Sequence, residues 1–376
     1  MAFHYNIDDR FLQHFKNLQQ VFVYVIDECN LECKQCLYKP NIKFSIGNKE
    51  IPFNELIGLI TDFRKMGATK LSILGGEPTL YGKEKNNKPL LDLIGYAKEE
   101  LNYKYVRLDT NGTFDSEILY KNNFQLLDEL SFSIDGYDAE TNDIIRAKGV
   151  FDKAVNNIKL AKKLDYNVHI TSCIYNDLLK KENNGDYKLE RLIYLAEKLG
   201  VSVLNIHALI KDGTPIDTWS GDLYVTPNVW KEVYYTLQDN IRSGKYNVDL
   251  RIPQSFISKE CFDKKPKYYG FCPVKLGERI LVHPNGILRI CSGLLGTPYG
   301  VAHYNDNKIV WNDTKTNELI DHKINELTPC TNRSKKSYDN LCPLCFSFKP
   351  NQKEYVWERL IESEEHNQKQ LVYEFV

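Results

Sequence analysis

From Val21 to about Ala208, short apolar runs alternate with amphipathic stretches, the pattern that repeated βα units around a parallel sheet produce. Strands are expected at Val21 to Ile26, Lys70 to Leu74, Tyr105 to Asp109, Leu130 to Ile134, Val168 to Ile174 and Val201 to His207. Between them, Phe53, Leu56, Ile57, Ile60 and Phe63 recur at helical spacing before Gly67. Phe151, Ala154, Val155, Ile158, Ala161 and Leu164 do the same, and a third helix carrying Leu189, Leu192, Ile193, Ala196 and Leu199 stops at Gly200. These units predict an α/β fold, a partial (β/α)6 TIM-like barrel, whose functional residues belong in loops at the C-terminal ends of the strands.

After Ala208 the rhythm changes. Gly213, Pro215, Gly221 and Pro227 interrupt the chain, and no further βα alternation is expected. The domain boundary is placed there, with residues 1–208 as the barrel and 209–376 as a small α+β domain. Thr226 and Pro227 read as N-cap and first residue of a helix bearing Trp230, Val233, Tyr234, Leu237 and Ile241. Arg279 to His283 and Ile287 to Cys291 flank Asn285-Gly286, a hairpin signal, and a charged terminal helix is expected from Glu354 onward.

Composition narrows the function. The 376 residues include 49 basic and 50 acidic side chains, for a net charge of -1, and no basic stripe tracks a phosphate backbone, so nucleic acid is not an expected partner. No signal-peptide pattern opens the chain and no apolar run reaches the roughly 20 residues that span a bilayer, so a cytoplasmic location away from membranes is expected. In a reducing compartment ten cysteines are poor candidates for a disulfide framework, and their tight spacing at two places points to metal or cluster ligation.

Cys29, Cys33 and Cys36 follow the first strand in a C-x3-C-x2-C spacing. A 4Fe–4S cluster normally takes four thiolates, so three leave one iron open to a small molecule. A zinc site, the competing reading, needs a fourth ligand, and no histidine lies close in sequence. The second strand ends in Gly75, Gly76, Glu77 and Pro78, where glycines permit close backbone approach and Glu77 or exposed carbonyls can accept from an ammonium group; an ordinary turn is the alternative. Asn111 ends the third strand, and Ser133 and Asp135 alternate on one face of the fourth, again with turn chemistry as the alternative. Cys173, Tyr175 and His207 fall near the ends of strands five and six, where a substrate could lie, although a buried small residue and a hydrogen-bonded histidine are the plainer readings of Cys173 and His207.

The cysteine loop at the end of strand one of such a barrel resembles the radical S-adenosylmethionine (SAM) superfamily. That resemblance implies a 4Fe–4S cluster whose open iron is chelated by the amino nitrogen and carboxylate of SAM, and reductive cleavage to a 5′-deoxyadenosyl radical that abstracts a substrate hydrogen atom. It also implies SAM contacts from Gly75, Gly76, Glu77, Pro78, Asn111, Ser133 and Asp135, and from Arg146 against the SAM carboxylate. An electron donor of the flavodoxin or ferredoxin type is implied as well. One position departs from the family: the residue before the third cysteine, usually aromatic or apolar, is Gln35.

In the C-terminal part, Cys272 and Cys291 flank the hairpin as C-x13-G-x4-C, and Cys342 and Cys345 form a C-x2-C. Four such sulfurs suit a cluster or a zinc ion. The arrangement resembles the Twitch domain, the shortened SPASM extension, and so implies one auxiliary iron–sulfur cluster, with Cys261 and Cys330 left over. Relatives of this kind are mostly biosynthetic tailoring enzymes. An auxiliary cluster with four cysteine ligands favours electron acceptance, hence oxidation of a small molecule, and the roughly twenty residues before strand one are too few for a winged-helix peptide-binding domain. A ribosomal-peptide maturase and a non-catalytic iron–sulfur or zinc protein remain as alternatives.

Overall fold

A computed structural model describes residues 4–36, 38, 49–209, 223–252, 277–291, 300–312 and 318, with 256–258 and 341–343 described as strands by their backbone. Its main sheet contains β1 (Asn6–Ile7), β2 (Gln20–Tyr24), β3 (Lys70–Leu74), β4 (Tyr105–Thr110), β5 (Glu129–Ser133), β6 (Val168–Ile174), β7 (Val203–Ala208) and β8 (Asp249–Arg251). A short separate pair uses β9 (Phe256–Ser258); the main sheet goes on with β10 (Arg279–Val282), β11 (Ile287–Arg289), β12 (Ala302–Asn305) and β13 (Lys308–Trp311), and β14 (Leu341–Pro343) pairs with β9. The order of the main sheet is β1-β13-β12-β11-β10-β2-β3-β4-β5-β6-β7-β8. Strands β2 to β7 are the six expected ones, all parallel to their neighbours, so the α/β fold with a partial TIM-like barrel stands.

Two features differ from expectation. The βα rhythm does not stop at Ala208: the helix Pro227–Arg242 is followed by β8, which pairs parallel with β7. Three residues are too few for a strand period to show in the sequence. Secondly, β10 pairs parallel with β2 from Arg279↔Gln20 to Val282↔Val23, so the predicted hairpin β10–β11 extends the barrel sheet beside the cysteine-bearing strand instead of standing apart. The sheet therefore runs across the 208/209 boundary. Expected features from Glu354 onward lie outside the described residues.

Helices form where the apolar period placed them, at Phe53–Lys65, Val150–Lys163 and Lys188–Lys198. Thr226 caps Pro227–Arg242 by accepting from the Val229 N–H, as its position predicts. Leu56, Leu59, Ile60 and Phe63 of the first helix are fully buried, and so are Val106, Leu108, Leu130, Phe132, Val168 and Ile170 on alternate strand positions. Burying each such side chain stabilises the fold by about 1.5–3 kcal/mol. The helix Lys88–Gly95 was not foreseen, because Asn86 and Asn87 before it adopt left-handed backbone, a start signal that sequence pattern alone does not disclose. Among the described residues, no helix is long and apolar enough to cross a membrane.

The intervening strand positions carry polar side chains that satisfy one another across neighbouring strands. Gln20 donates to Ser72 at 3.2 Å, Ser131 and Thr171 hydrogen-bond at 3.2 Å, and Glu129 receives Arg107 at 3.2 Å and His169 at 3.0 Å. Tyr105 also donates to Glu129, which is 2% exposed. Burial alone would raise the Glu129 carboxyl, but the Arg107 guanidinium and the His169 hydrogen bond outweigh it and hold the group down to about 2. A carboxyl depressed in the folded state stabilises it fully above its unfolded value and loses that contribution as pH falls towards the folded one. Urea unfolding between pH 6 and pH 3 is expected to show wild type losing roughly 2 kcal/mol more than Glu129→Gln, with the variant already weaker at pH 6. Equal pH slopes for the two proteins would contradict this account of the network.

Candidate active site

Past Tyr24 the chain leaves the sheet, and from Glu28 to Cys36 it has no helix or strand of its own. Neighbouring strand ends hold it. The Val25 N–H donates to the Leu74 carbonyl at 2.9 Å, the Gly76 N–H to Ile26 at 2.7 Å and the Glu77 N–H to Glu28 at 2.8 Å. A Cβ on Gly76 would meet the Glu28 carbonyl oxygen at 2.2 Å, and one on Gly75 the Ile26 oxygen at 2.6 Å. Both neighbours are backbone and cannot swing aside, so the glycines serve first to let two loops touch. At the other end, the Lys34 N–H donates to the Ile145 carbonyl at 2.8 Å.

Glu77 is 1% exposed and caps the short turn Pro78–Leu80. Its Oε1 accepts from the Thr79 N–H at 3.1 Å, the Thr79 hydroxyl at 2.6 Å and the Thr110 hydroxyl at 2.8 Å, and Oε2 accepts from the Asn111 N–H at 2.8 Å. Burial raises this carboxyl, and those four donors offset part of the rise. A carboxylate so occupied ties the end of β3 to the end of β4. Asn111 carries the connection onward: its Nδ2 donates to Asn30 at 2.8 Å and lies 3.9 Å from the Cys29 sulfur, while its Oδ1 accepts from Thr113. Nothing in the residue pattern marked Thr110 or Asn30 for these tasks.

Cys29, Cys33 and Cys36 are free and partly buried. Burial pushes the Cys29 thiol up to about 12, even though the Leu31 N–H donates to its sulfur at 3.4 Å, and pushes Cys33 up to about 11 against the pull of Arg146. The charge of each would be felt by the others. Ligation must therefore displace protons from thiols that are otherwise neutral. Among the described residues, no three His, Cys, Asp or Glu side chains gather around a single ion. A 4Fe–4S cluster takes each thiolate on a different iron, and three soft donors on one loop are the donor set that such a cluster uses.

Asp135, 0% exposed, organises the remaining wall. Its carboxylate accepts from the Cys173 N–H at 2.7 Å and from Gln35 Nε2 at 2.5 Å, and pairs with Arg146 at 2.5 Å. Its own N–H donates to Asn142 at 2.9 Å, a fully buried residue with no signature in the sequence. Burial would weaken the Arg146 charge, but Asp135 more than restores it. Ser133 ends β5, partly buried. The Cys173 thiol is pushed up by burial and lies within electrostatic reach of Asp135, Arg146, Cys36 and Cys33, so this side chain belongs to the same wall. Burial together with Arg107 lowers His207 to about 4, leaving it neutral at ordinary pH, and the Tyr175 hydroxyl donates to the Thr141 carbonyl at 2.8 Å.

The cysteine loop also meets the hairpin. Tyr24 stacks on Tyr38 with centroids 4.5 Å apart and on His283 at 4.4 Å, and Cys36 packs against this group. Tyr38 donates to the buried Asp27. Of the second cysteine group, Cys291 is buried just past β11 and Cys342 lies in β14, opposite Ile257. Cys272 and Cys345 lie outside the described residues, as do Cys261 and Cys330.

Known proteins share parts of this chain in sequence and in fold. The chain is 28% identical over 216 residues to GTP 3',8-cyclase of Lactiplantibacillus plantarum, a match spanning 57% of this chain and 60% of the cyclase. It is 27% identical over 207 residues to the mycofactocin maturase MftC of Mycolicibacterium smegmatis, covering 55% of this chain and 48% of the maturase. Among solved structures, Streptococcus suis SuiB bound to its precursor peptide SuiA superposes over 83% of this chain and 69% of that one, with a TM-score of 0.58 at 15% identity, a likeness of fold. Residues 23–193, which hold the three clustered cysteines, Glu77, Asn111, Asp135 and Arg146, match the Radical SAM superfamily.

Proposed function

We propose that this chain is a radical SAM enzyme that carries out an oxidative or tailoring step on a small molecule in natural-product biosynthesis. The observation that carries the reading is the trio Cys29, Cys33 and Cys36, set on one irregular loop and held by the ends of β3 and β4 and by the Ile145 carbonyl. When bound there, a 4Fe–4S cluster supplies one electron and SAM supplies a 5′-deoxyadenosyl radical, which takes a hydrogen atom from the substrate.

The protein's own residues hold and aim. Glu77 fixes the loop, and Asn111 places an N–H near the Cys29 sulfur, where donors to a ligating sulfur tune its potential. Arg146 offers a guanidinium suited to a carboxylate, already oriented by Asp135. Ser133 and the Gly75-Gly76 turn complete the SAM-binding wall. Cys291 and Cys342, with Cys272 and Cys345, are assigned to one auxiliary cluster that accepts an electron from the substrate radical, and a flavodoxin- or ferredoxin-type protein is the assigned donor to the first cluster. A peptide substrate is the second reading, favoured by the match to a mycofactocin maturase and by the fold shared with SuiB.

Anaerobically reconstituted protein given dithionite and SAM is expected to release 5′-deoxyadenosine, measured by liquid chromatography, and Cys33→Ala is expected to release none. Release from the variant at the wild-type rate would contradict the assignment. Glu77→Gln would turn an amide N–H₂ towards a donor that now finds a carboxylate oxygen, costing about 1–3 kcal/mol. The expected result is a lower thermal midpoint and less iron per chain after reconstitution, and unchanged values for both would show that Glu77 does not secure the loop.

A further inference from the structure

Inward positions of a closed parallel barrel are normally filled by branched apolar side chains that leave no space between them. Here several are polar and keep accessible surface. On β4, Val106 and Leu108 are fully buried, whereas the alternate side chains Arg107 and Asp109 are 22% and 21% exposed. Cys173 on β6 and His207 on β7 stand side by side in register and are likewise partly accessible, while Ile174 and Ile206 next to them are not. Yet all four are surrounded by protein closely enough for burial to be the first influence on their protons. Enclosure by protein together with access to water describes the wall of an interior chamber and not an outer surface. His207 is lowered by burial and by Arg107, which stands three strands away on β4, so the two walls face each other. Cys173 lies within electrostatic reach of Cys33 and Cys36, which places the cysteine loop at the same chamber.

Two carboxylates share Arg107. Its Nε lies 2.9 Å from Asp109 and 3.2 Å from Glu129. Glu129, sealed at the base, also receives His169 and Tyr105, and its carboxyl is held down to about 2. Asp109 has Arg107 and the Ser131 hydroxyl, and burial outweighs both and raises its carboxyl. The less compensated carboxylate is thus the one that faces open space. Resting on the radical SAM reading above, we propose that this chamber takes a substrate bearing a protonated amine and that Asp109 accepts hydrogen bonds from that ammonium. An ammonium supplies both donors and the missing charge, whereas a hydroxyl supplies a donor alone and a substrate carboxylate is repelled. Arg107, already engaged by two carboxylates, keeps Asp109 in place.

The test titrates anaerobically reconstituted holoprotein, with S-adenosylhomocysteine in the place of SAM, with two matched pairs of small probes. These are ethanolamine against ethylene glycol and serinol against glycerol, with binding read by saturation-transfer NMR. Each amine is expected to bind wild type roughly tenfold more tightly than its alcohol, and Asp109→Asn is expected to abolish that preference. Reduction with dithionite makes the cluster paramagnetic and is expected to broaden the signals of the bound amine. That measurement locates the probe in wild type, so a variant that fails to fold leaves the test intact. Amines that do not bind, that bind no better than the alcohols, that keep their preference in Asp109→Asn or that ignore cluster reduction would overturn the inference. Release of 5′-deoxyadenosine from SAM is measured on the same preparation. Absence of release overturns the radical SAM reading itself, whereas release without an amine preference overturns only the present inference.

Discussion

The loop that carries Cys29, Cys33 and Cys36 has no helix or strand of its own, so it lacks the repeating backbone hydrogen bonds of either. Stability for such a loop has to come from outside it. Here it comes from backbone contact with the Gly75-Gly76 turn, from the saturated carboxylate of Glu77 and from the Lys34–Ile145 hydrogen bond. The first two anchors sit just beyond the C-terminal end of β3, and the third follows the short helix Ala139–Asp143 after β5, so the barrel holds the loop from outside.

Two buried carboxylates divide the work. Glu77 faces four donors and behaves as a rivet between β3 and β4. Asp135 faces a guanidinium, an amide and a backbone N–H, and gathers Arg146, Gln35 and Cys173 on one wall. On the opposite flank, the stacked rings of Tyr24, Tyr38 and His283 bring the hairpin against the loop. Because β10 pairs with β2, the hairpin β10–β11 is continuous with the sheet from which the cysteine loop emerges.

Strand and helix positions within the barrel were legible because the apolar period repeats over long stretches, and the cysteine loop because its spacing is chemical. Glu77 was legible as a special residue but not as an anchor: a glutamate after two glycines looks the same whether it meets a ligand or four internal donors. Likewise Asp135 and Arg146 each stood out, while their pairing did not, since eleven positions separate them and only the fold closes the distance. Gln35 was visible as a departure, but its hydrogen bond to Asp135 was not. The short strand β8 and the docking of β10 on β2 were hidden because three- and four-residue strands carry no period.

The central claim is that Cys29, Cys33 and Cys36 hold a cluster with one iron open to SAM. It is tested most directly by electron paramagnetic resonance of anaerobically reconstituted, dithionite-reduced Cys291→Ala/Cys342→Ala protein, in which the assigned second cluster is removed, before and after SAM is added. The account predicts a reduced 4Fe–4S signal whose g-values shift when SAM binds. Protein that takes up no iron, or a signal indifferent to SAM, would contradict it.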